Sequence, residues 1–410
     1  MKYIPRAMEA TFKRLSAEFP AILLTGPRQV GKTTMLEKLM GEEDRGRSYV
    51  TLDDLTEQEL AKNDPKLFFQ IHKPPVFIDE VQYAPELFPY IKIYLGENPG
   101  RPGEFWLTGS QVFKLMRGVQ ESLAGRVCLL SMSSMSQAEI NGYPTRPFIP
   151  NLDKLMARAN EVKAVDTPGL YKRIFDGGMP ALASGLYTEH RAVYSSYIGT
   201  YIDRDVKGIS GTIDSLKFMR FLTATAALAG QMLNVNTIAE SAETDPAKTK
   251  EWLGILEALG IIFFLHPYSN NVLKRTISKP KLYFSDTGLV AYLTKWSSSE
   301  TLMHGAMSGS ILENFTVSEI LKSYHNCGIE PFAYYYRDKD TKEIDMVMES
   351  DGKLYPIEIK RTAAPSMHLT RVFSLIDKAP LIRGTGVVLC TIDRLSAFDN
   401  ENLIVPIWMI

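Results

Sequence analysis

The stretch GPRQVGKT, residues 26–33, has the residue types and the spacing that bind phosphate groups. Two glycines allow a loop to turn its N–H groups inward, Lys32 would reach the β- and γ-phosphates, and Thr33 would offer a hydroxyl to Mg²⁺. The alternative is a glycine turn before a surface helix. We therefore predict a site for ATP and Mg²⁺, with these nucleotide-binding residues: Gly26, Pro27, Arg28, Gln29, Val30, Gly31, Lys32, Thr33 and Thr34.

A pair of carboxylates, Asp79 and Glu80, follows the apolar run VFI at residues 76–78. At the end of a buried strand, Asp79 would bind Mg²⁺ directly or through water, and Glu80 would orient and polarise an attacking water. Another strand-like run ends in LTGS, where Ser110 would sense the γ-phosphate. These residues predict ATP hydrolysis, whereas the alternative is an acidic strand end that faces solvent.

A small-molecule or nucleoside kinase would use the same phosphate-binding loop. Adjacent Asp and Glu residues after a short apolar run suit the activation of water better than transfer to a bound acceptor. The sequence therefore favours a hydrolase over a kinase.

A third group of charged residues lies near the C-terminus, with Glu313 on a predicted helix and Asp345, Glu358 and Lys360 on two predicted strands. Asp345, Glu358 and the carbonyl of Ile359 would hold one Mg²⁺ against a scissile phosphate. Lys360 would steady the attacking water, and Glu313 would complete or tune the site. Two alternatives stay open: a hairpin with a solvated Glu–Lys pair, and a retained but inactive nuclease-like domain.

The motifs GPRQVGKT, FIDEVQ, LTGS and SLAGRV, in this order, resemble the ATPase domain of the AAA-type superfamily. The resemblance is to the prokaryotic ATPases of the AAA_14/DUF4143 family in particular, and KPKLYFSDTGLVAYL is similar to their DUF4143 region. The resemblance implies that Arg126 lies near a nucleotide, either its own or a neighbour's. A plain surface or structural role for this arginine is the alternative.

The order Glu, Asp, Glu-x-Lys in the C-terminal part resembles the PD-(D/E)xK nuclease fold, although Ile344 replaces the proline before the aspartate. The strand YPIEIK is otherwise apolar, and burial of charged groups costs several kcal/mol unless they pair or bind metal. The resemblance implies a nuclease-like domain whose activity is left open.

The predicted helices and strands that position these residues indicate an α/β protein of several units. We expect a P-loop AAA-type ATPase domain at 1–145, a helical linker or lid at 146–212, a winged-helix-like domain at 213–295 and a DUF4143-type, PD-(D/E)xK-like α/β domain at 296–410. A stripe of Tyr194, Tyr197, Ile198 and Tyr201 is expected to be core rather than a base-stacking surface.

Within 213–295, NTIAESA and KTKEWLGILEALG predict the two helices of a helix-turn-helix, with Asp245 and Pro246 as the turn. IIFFLHPY and PKLYFSDTGL would be the strands of a wing. Such a module either contacts DNA or serves only for packing. The basic residues available for DNA are Lys248, Lys250, Lys274, Arg275, Lys279 and Lys281.

Bulk composition narrows the class of protein. The chain of 410 residues carries 46 basic and 47 acidic residues, so its net charge of -1 argues neither for nor against nucleic acid. Its three cysteines form no CxxC pair, its start is too polar for a signal peptide, and no apolar run suits a membrane helix. We expect a cytoplasmic protein without membrane contact, and leave DNA, a protein partner and oligomerisation open.

Overall fold

The structure is a computed structural model, described for residues 3–110, 123–200, 206, 214–269 and 279–410. Within these ranges, none of the helices has the length and apolar content needed to cross a membrane. The predictions for Tyr201, Lys274 and Arg275 lie outside the described residues.

The first unit is built on a five-stranded parallel sheet with the order β2-β3-β4-β1-β5. Parallel pairing requires crossovers, and helices supply them. The elements of this unit are α1 Met8–Ser16, β1 Ala21–Thr25, α2 Lys32–Glu42, β2 Ser48–Thr51, α3 Leu55–Asn63, α4 Pro65–Ile71, β3 Val76–Asp79, α5 Leu87–Glu97, β4 Phe105–Gly109, β5 Val127–Ser131 and α6 Gln137–Asn141.

Both faces of this sheet are covered, which explains its near-continuous apolar strands. Leu23 and Ile78 belong to the core cluster on one face, and Leu24 and Phe77 belong to the cluster on the other. Since all strands run parallel, their carboxyl ends meet at one edge. The segments that follow β1, β3 and β4 therefore come together there.

The middle part is mostly helical and includes one small antiparallel sheet with the order β6-β8-β7. Its elements are α7 Leu152–Glu161, α8 Thr167–Asp176, α9 Pro180–Ala183, α10 His190–Thr200, α11 Ser215–Ala227, β6 Gln231–Met232, α12 Val235–Ser241, α13 Pro246–Ala258, β7 Ile262–Leu265, β8 Lys281–Phe284, α14 Thr287–Leu293 and α15 Ser299–His304. Tyr194 and Tyr197 on α10 are buried, as a core role predicts.

The predicted helix-turn-helix needs one correction. Pro246 does not belong to the turn, because it is the first residue of α13. Asp245 ends the connection that follows α12, and its carboxylate caps α13 by accepting from the N–H of Lys248 at 2.8 Å. A proline at this position suits a helix start, since its missing N–H would have no partner there. The winged-helix assignment itself stays a prediction.

The C-terminal part combines the long helix α16 with a seven-stranded mixed sheet. The sheet runs β14-β15-β13-β11-β10-β9, with β12 paired to β11. The elements are α16 Ser308–His325, β9 Phe332–Arg337, β10 Glu343–Ser350, β11 Lys353–Lys360, β12 Ile382–Arg383, β13 Gly386–Cys390, β14 Ser396–Ala397 and β15 Asn402–Pro406. β10 and β11 form the antiparallel pair that the sequence predicts.

One hydrophobic cluster extends from Phe148 to Met409 and contains residues of both the middle and the C-terminal parts. The predicted boundary at 295/296 therefore falls within a shared core. Helix α16 also touches the first unit, because Glu319 accepts from the N–H of Gln137 at 2.7 Å.

Candidate nucleotide site and C-terminal carboxylate cluster

The loop between β1 and α2 has a backbone that requires its glycines. Gly26 has a φ of 134°, and a Cβ at this position would lie 2.1 Å from the carbonyl oxygen of Met132. Gly31 has a φ of 92° and directly precedes α2. The first turn of α2 therefore leaves N–H groups and the positive end of the helix dipole at the loop, where an anion is stabilised.

The side chain of Lys32 lies within the loop. Its ammonium donates to the carbonyl oxygens of Gly26 at 2.9 Å and Pro27 at 2.8 Å, and the residue is only 6% exposed. Phosphate oxygens would be stronger acceptors than these carbonyls, because phosphate oxygens carry negative charge and the carbonyls are neutral.

Thr33 and Asp79 meet at the edge of the sheet. The Thr33 hydroxyl lies 3.0 Å from each carboxylate oxygen of Asp79, and Thr108 at the end of β4 also donates to this carboxylate. Burial raises the pKa of Asp79, and the hydrogen bonds from Thr108 and Thr33 oppose that rise. A hydroxyl beside a carboxylate is a ligand set that suits Mg²⁺.

Glu80 adopts a left-handed backbone with a φ of 56°. Its N–H donates to Thr108 Oγ1 at 3.2 Å, and its carboxylate accepts from the Gln82 amide and from Ser110 Oγ at 3.4 Å. The positive φ is unusual for a glutamate, and such strain is often found at functional sites. Sequence reasoning missed Gln82, although it lies in the FIDEVQ motif.

Lys32 and Thr33 border an open cleft of about 560 Å³, which reaches the end of α10 at Gly199 and Thr200. Arg28 and Glu80 also line it. Arg126 is not among the described residues of this lining, and its guanidinium donates to the carbonyl of Lys92 on α5 at 3.1 Å. Its expected role near a nucleotide stays a prediction.

Arg6 is a second residue that the sequence did not reveal. Its buried guanidinium donates to the carbonyl of Val30 in the phosphate-binding loop at 2.5 Å, to Glu139 at 2.9 Å and to the carbonyl of Ser133 at 2.9 Å. Arginine's planar fork suits such several-sided contacts. It ties the N-terminal segment and α6 to the loop.

The four C-terminal residues Glu313, Asp345, Glu358 and Lys360 come together, along with two residues that were not predicted there. We call the whole set the carboxylate–lysine cluster. Lys360 Nζ lies 2.9 Å from Asp345 Oδ2 and 2.7 Å from Glu358 Oε1. The additional members are Glu343 and Lys281.

Lys281 was one of the basic residues considered available to DNA if the wing contacts it, and its burial removes it from that set. It is 3% exposed, and its ammonium lies 2.8 Å from Glu313 and 2.5 Å from Glu343. Asp345 Oδ1 is 3.7 Å away. β8 faces the core here, so this lysine is unavailable to a DNA backbone.

Burial and the charge of Asp345 raise the pKa values of Glu313 and Glu358 to about 7. Burial alone would lower the pKa of Lys281, but the carboxylates of Glu313, Asp345 and Glu343 raise it above its usual range. None of the described residues donates a hydrogen bond to Glu358 Oε2. The surrounding carboxylates thus keep the Lys281 ammonium charged, and burial makes Glu313 and Glu358 harder to ionise than exposed glutamates.

The predicted nuclease metal stays a prediction. Asp345 Oδ2 accepts from the N–H of Ile359 and from Lys360, both at 2.9 Å, so this oxygen already has two donors. Across the described parts of the chain, no group of three or more His, Cys, Asp or Glu side chains is arranged to hold a metal.

The sheet order and the glycine-bearing loop define a mixed α/β fold that resembles the fold of P-loop ATPases. Residues 18–141 match the AAA domain family AAA_14, and residues 308–410 match the domain of unknown function DUF4143. Residues 167–300 match a further domain of unknown function, DUF8612. The AAA_14 and DUF4143 matches bear out the family that the motifs of the chain resemble, although KPKLYFSDTGLVAYL, which was compared with the DUF4143 region, lies within the DUF8612 match.

Several relatives and solved structures are similar to this chain. Uncharacterized proteins of Mycobacterium tuberculosis and Mycobacterium bovis are each 28% identical over 373 residues, covering 91% of this chain and 77% of theirs. A Walker-type ATPase of Pyrococcus abyssi is 15% identical with a TM-score of 0.43, covering 70% of this chain and 94% of that one. The RuvB branch migration motor of Thermotoga maritima is 16% identical with a TM-score of 0.31, covering 63% and 85%.

Proposed function

We propose that the protein hydrolyses ATP with Mg²⁺ and uses the nucleotide state to reposition its C-terminal parts on DNA or another partner. The observation that carries this proposal is the meeting of Thr33, Asp79 and Glu80 at one edge of the sheet. Hydroxyl, metal-binding carboxylate and water-activating carboxylate are the groups that phosphoryl transfer to water requires.

Roles can then be assigned to the residues of the site. Lys32 would donate to the β- and γ-phosphates, and Thr33 and Asp79 would hold Mg²⁺, which would supply positive charge beside those phosphates. Glu80 accepts a proton from the attacking water, and Gln82 and Ser110 hold its carboxylate in place beforehand. Ser110 lies at the end of β4, between β1 and β3, where it would sense the γ-phosphate.

Lys32→Ala is the direct test of nucleotide binding. ATP affinity, measured by titration calorimetry, is expected to be lost in this variant. Lys62→Ala, at an exposed helix position away from the loop, serves as the control and should bind like the wild type. Normal ATP turnover in the Lys32 variant would refute the proposal.

A second candidate function is an ATP-controlled interaction switch with an inactive nuclease-like domain. The burial of Lys281 among the carboxylates favours it. The two candidates separate on Mg²⁺- or Mn²⁺-dependent cleavage of single- and double-stranded DNA, compared between the wild type and Glu358→Ala. Absence of cleavage by the wild type would favour the switch.

A further inference from the structure

The ammonium group of Lys281 places a positive charge among the C-terminal carboxylates. Lys281 is the first residue of β8 in the small three-stranded sheet, yet its ammonium contacts Glu313 of α16 and Glu343 of β10. Burying an ammonium group is unfavourable unless several partners satisfy it. Here three carboxylates surround it, since Asp345 Oδ1 lies 3.7 Å away.

The strand of Lys281, β8, makes hydrogen bonds to α16 at two more positions. The Tyr283 hydroxyl donates to Glu313 at 2.7 Å, and Asn314 accepts from the N–H of Phe284 at 2.7 Å while donating to its carbonyl at 2.8 Å. Asn314 is fully buried. β8 is therefore held on α16 by a continuous set of polar contacts, of which the Lys281 pair is the charged member.

A divalent cation would have to compete with two ammonium groups. Lys360 occupies the opposite side of Asp345 and bridges it to Glu358. Mg²⁺ needs near-ideal octahedral oxygen ligands at roughly 2.0–2.1 Å, and repulsion from nearby ammoniums would oppose it. Glu358 Oε2, to which none of the described residues donates, is an oxygen left for a metal, so the two ammonium groups are what opposes metal binding here.

We propose that Lys281 is the resident cation of the carboxylate–lysine cluster, and that the cluster joins the small sheet to the C-terminal sheet instead of binding a divalent metal. Lys281, Glu313 and Glu343 form the central ion pairs of this junction. Since α16 also contacts α6 of the ATPase unit through Glu319 and Gln137, the junction lies on a helix that touches all three parts.

Two measurements on the whole 410-residue chain, in the absence of nucleotide, test this proposal. In the first, Mn²⁺ is titrated by calorimetry into the wild type, Asp345→Asn and Glu358→Gln. We expect that any Mn²⁺ binding by the wild type at millimolar concentration is also present in Asp345→Asn and in Glu358→Gln. Submillimolar Mn²⁺ binding that is lost in both variants would overturn the proposal.

In the second measurement, thermal unfolding is compared for Lys281→Met and the control Lys250→Met, which replaces an exposed lysine on α13. Leaving buried carboxylates without their cation should lower the Tm of Lys281→Met by several degrees, with the control unchanged. Equal Tm values for the two variants would contradict the junction. If Lys281→Met is insoluble, that outcome counts as the expected loss of stability, and the metal titration still decides whether the cluster binds metal.

Discussion

The hydroxyl of Thr33 lies 3.0 Å from both carboxylate oxygens of Asp79, although the two residues are 46 positions apart. Thr33 belongs to the first turn of α2 and Asp79 ends β3. Parallel strands bring them together, since helix starts and strand ends share one edge of such a sheet. This pair is where we propose that Mg²⁺ binds with ATP.

Replacing either member should change how ATP hydrolysis depends on Mg²⁺. Thr33→Val removes the hydroxyl at nearly constant volume, so we expect a higher Mg²⁺ concentration at half-maximal rate and a kcat lower by roughly 10-fold or more. Thr33→Ser keeps the hydroxyl and should behave like the wild type. An unchanged Mg²⁺ profile in Thr33→Val would argue against this ligand.

Gly26 and Gly41 form a matched pair of glycine substitutions. A Cβ on Gly26 would collide with the carbonyl of Met132, whereas a Cβ on Gly41, inside α2, meets nothing within 4 Å. Gly26→Ala should therefore destabilise the protein and abolish ATP binding, while Gly41→Ala should raise stability by about 0.5–1 kcal/mol. Chemical denaturation and ATP titration measure both. Normal ATP affinity in Gly26→Ala would be inconsistent with a loop that wraps the phosphates.

Arg6 should affect both stability and nucleotide affinity. Arg6→Met leaves Glu139 buried without its cation, which costs about 3–5 kcal/mol of unfolding free energy. It also removes the donor to the Val30 carbonyl, so ATP affinity should fall. The double variant Arg6→Met/Glu139→Gln removes the unpaired charge and should recover part of the stability but not the affinity.

Recovery of both quantities in the double variant would mean that Arg6 acts only through the fold. Arg14→Met, at an exposed position of α1, is the control and should change neither quantity.

The lowered pKa of His190 predicts a loss of folding stability in mild acid. Burial lowers its pKa below the ordinary value of 6.5, and its Nε2–H donates to the carbonyl of Phe175 at 2.7 Å. The unfolded chain binds the proton more readily, so stability is full above about pH 6.5 and falls as the pH drops below that value. His190→Phe should flatten this slope, whereas replacing the exposed His368 should not. An unchanged slope in His190→Phe would exclude this histidine as the cause.

Local pattern was sufficient to predict the phosphate-binding loop, because the spacing of Gly26, Gly31 and Lys32 determines how one short segment folds. The Asp–Glu pair was predictable for the same reason, since it follows an apolar strand. Asp245 and Pro246 carried an equally local signal, a cap followed by a first-turn proline, which fits a helix start better than a turn.

Lys281, Arg6 and Gln82 could not be predicted in the same way. The position of Lys281 depends on how β8 packs on α16 and β10, and its sequence neighbours look like an ordinary basic strand. Arg6 reaches Glu139 across 133 residues. Only tertiary packing shows that such charges are buried and paired.

Glu80→Gln tests the central claim, ATP hydrolysis by activated water, most directly. The substitution keeps the shape of the side chain but removes the base, so turnover should fall by roughly 10²–10⁴-fold while ATP still binds. The measurement is single-turnover conversion of ATP to ADP, with ATP affinity determined on the same preparation. Glu80→Gln is expected to form a stable ATP complex without producing ADP. Hydrolysis at the wild-type rate by Glu80→Gln would contradict hydrolysis by water that Glu80 activates.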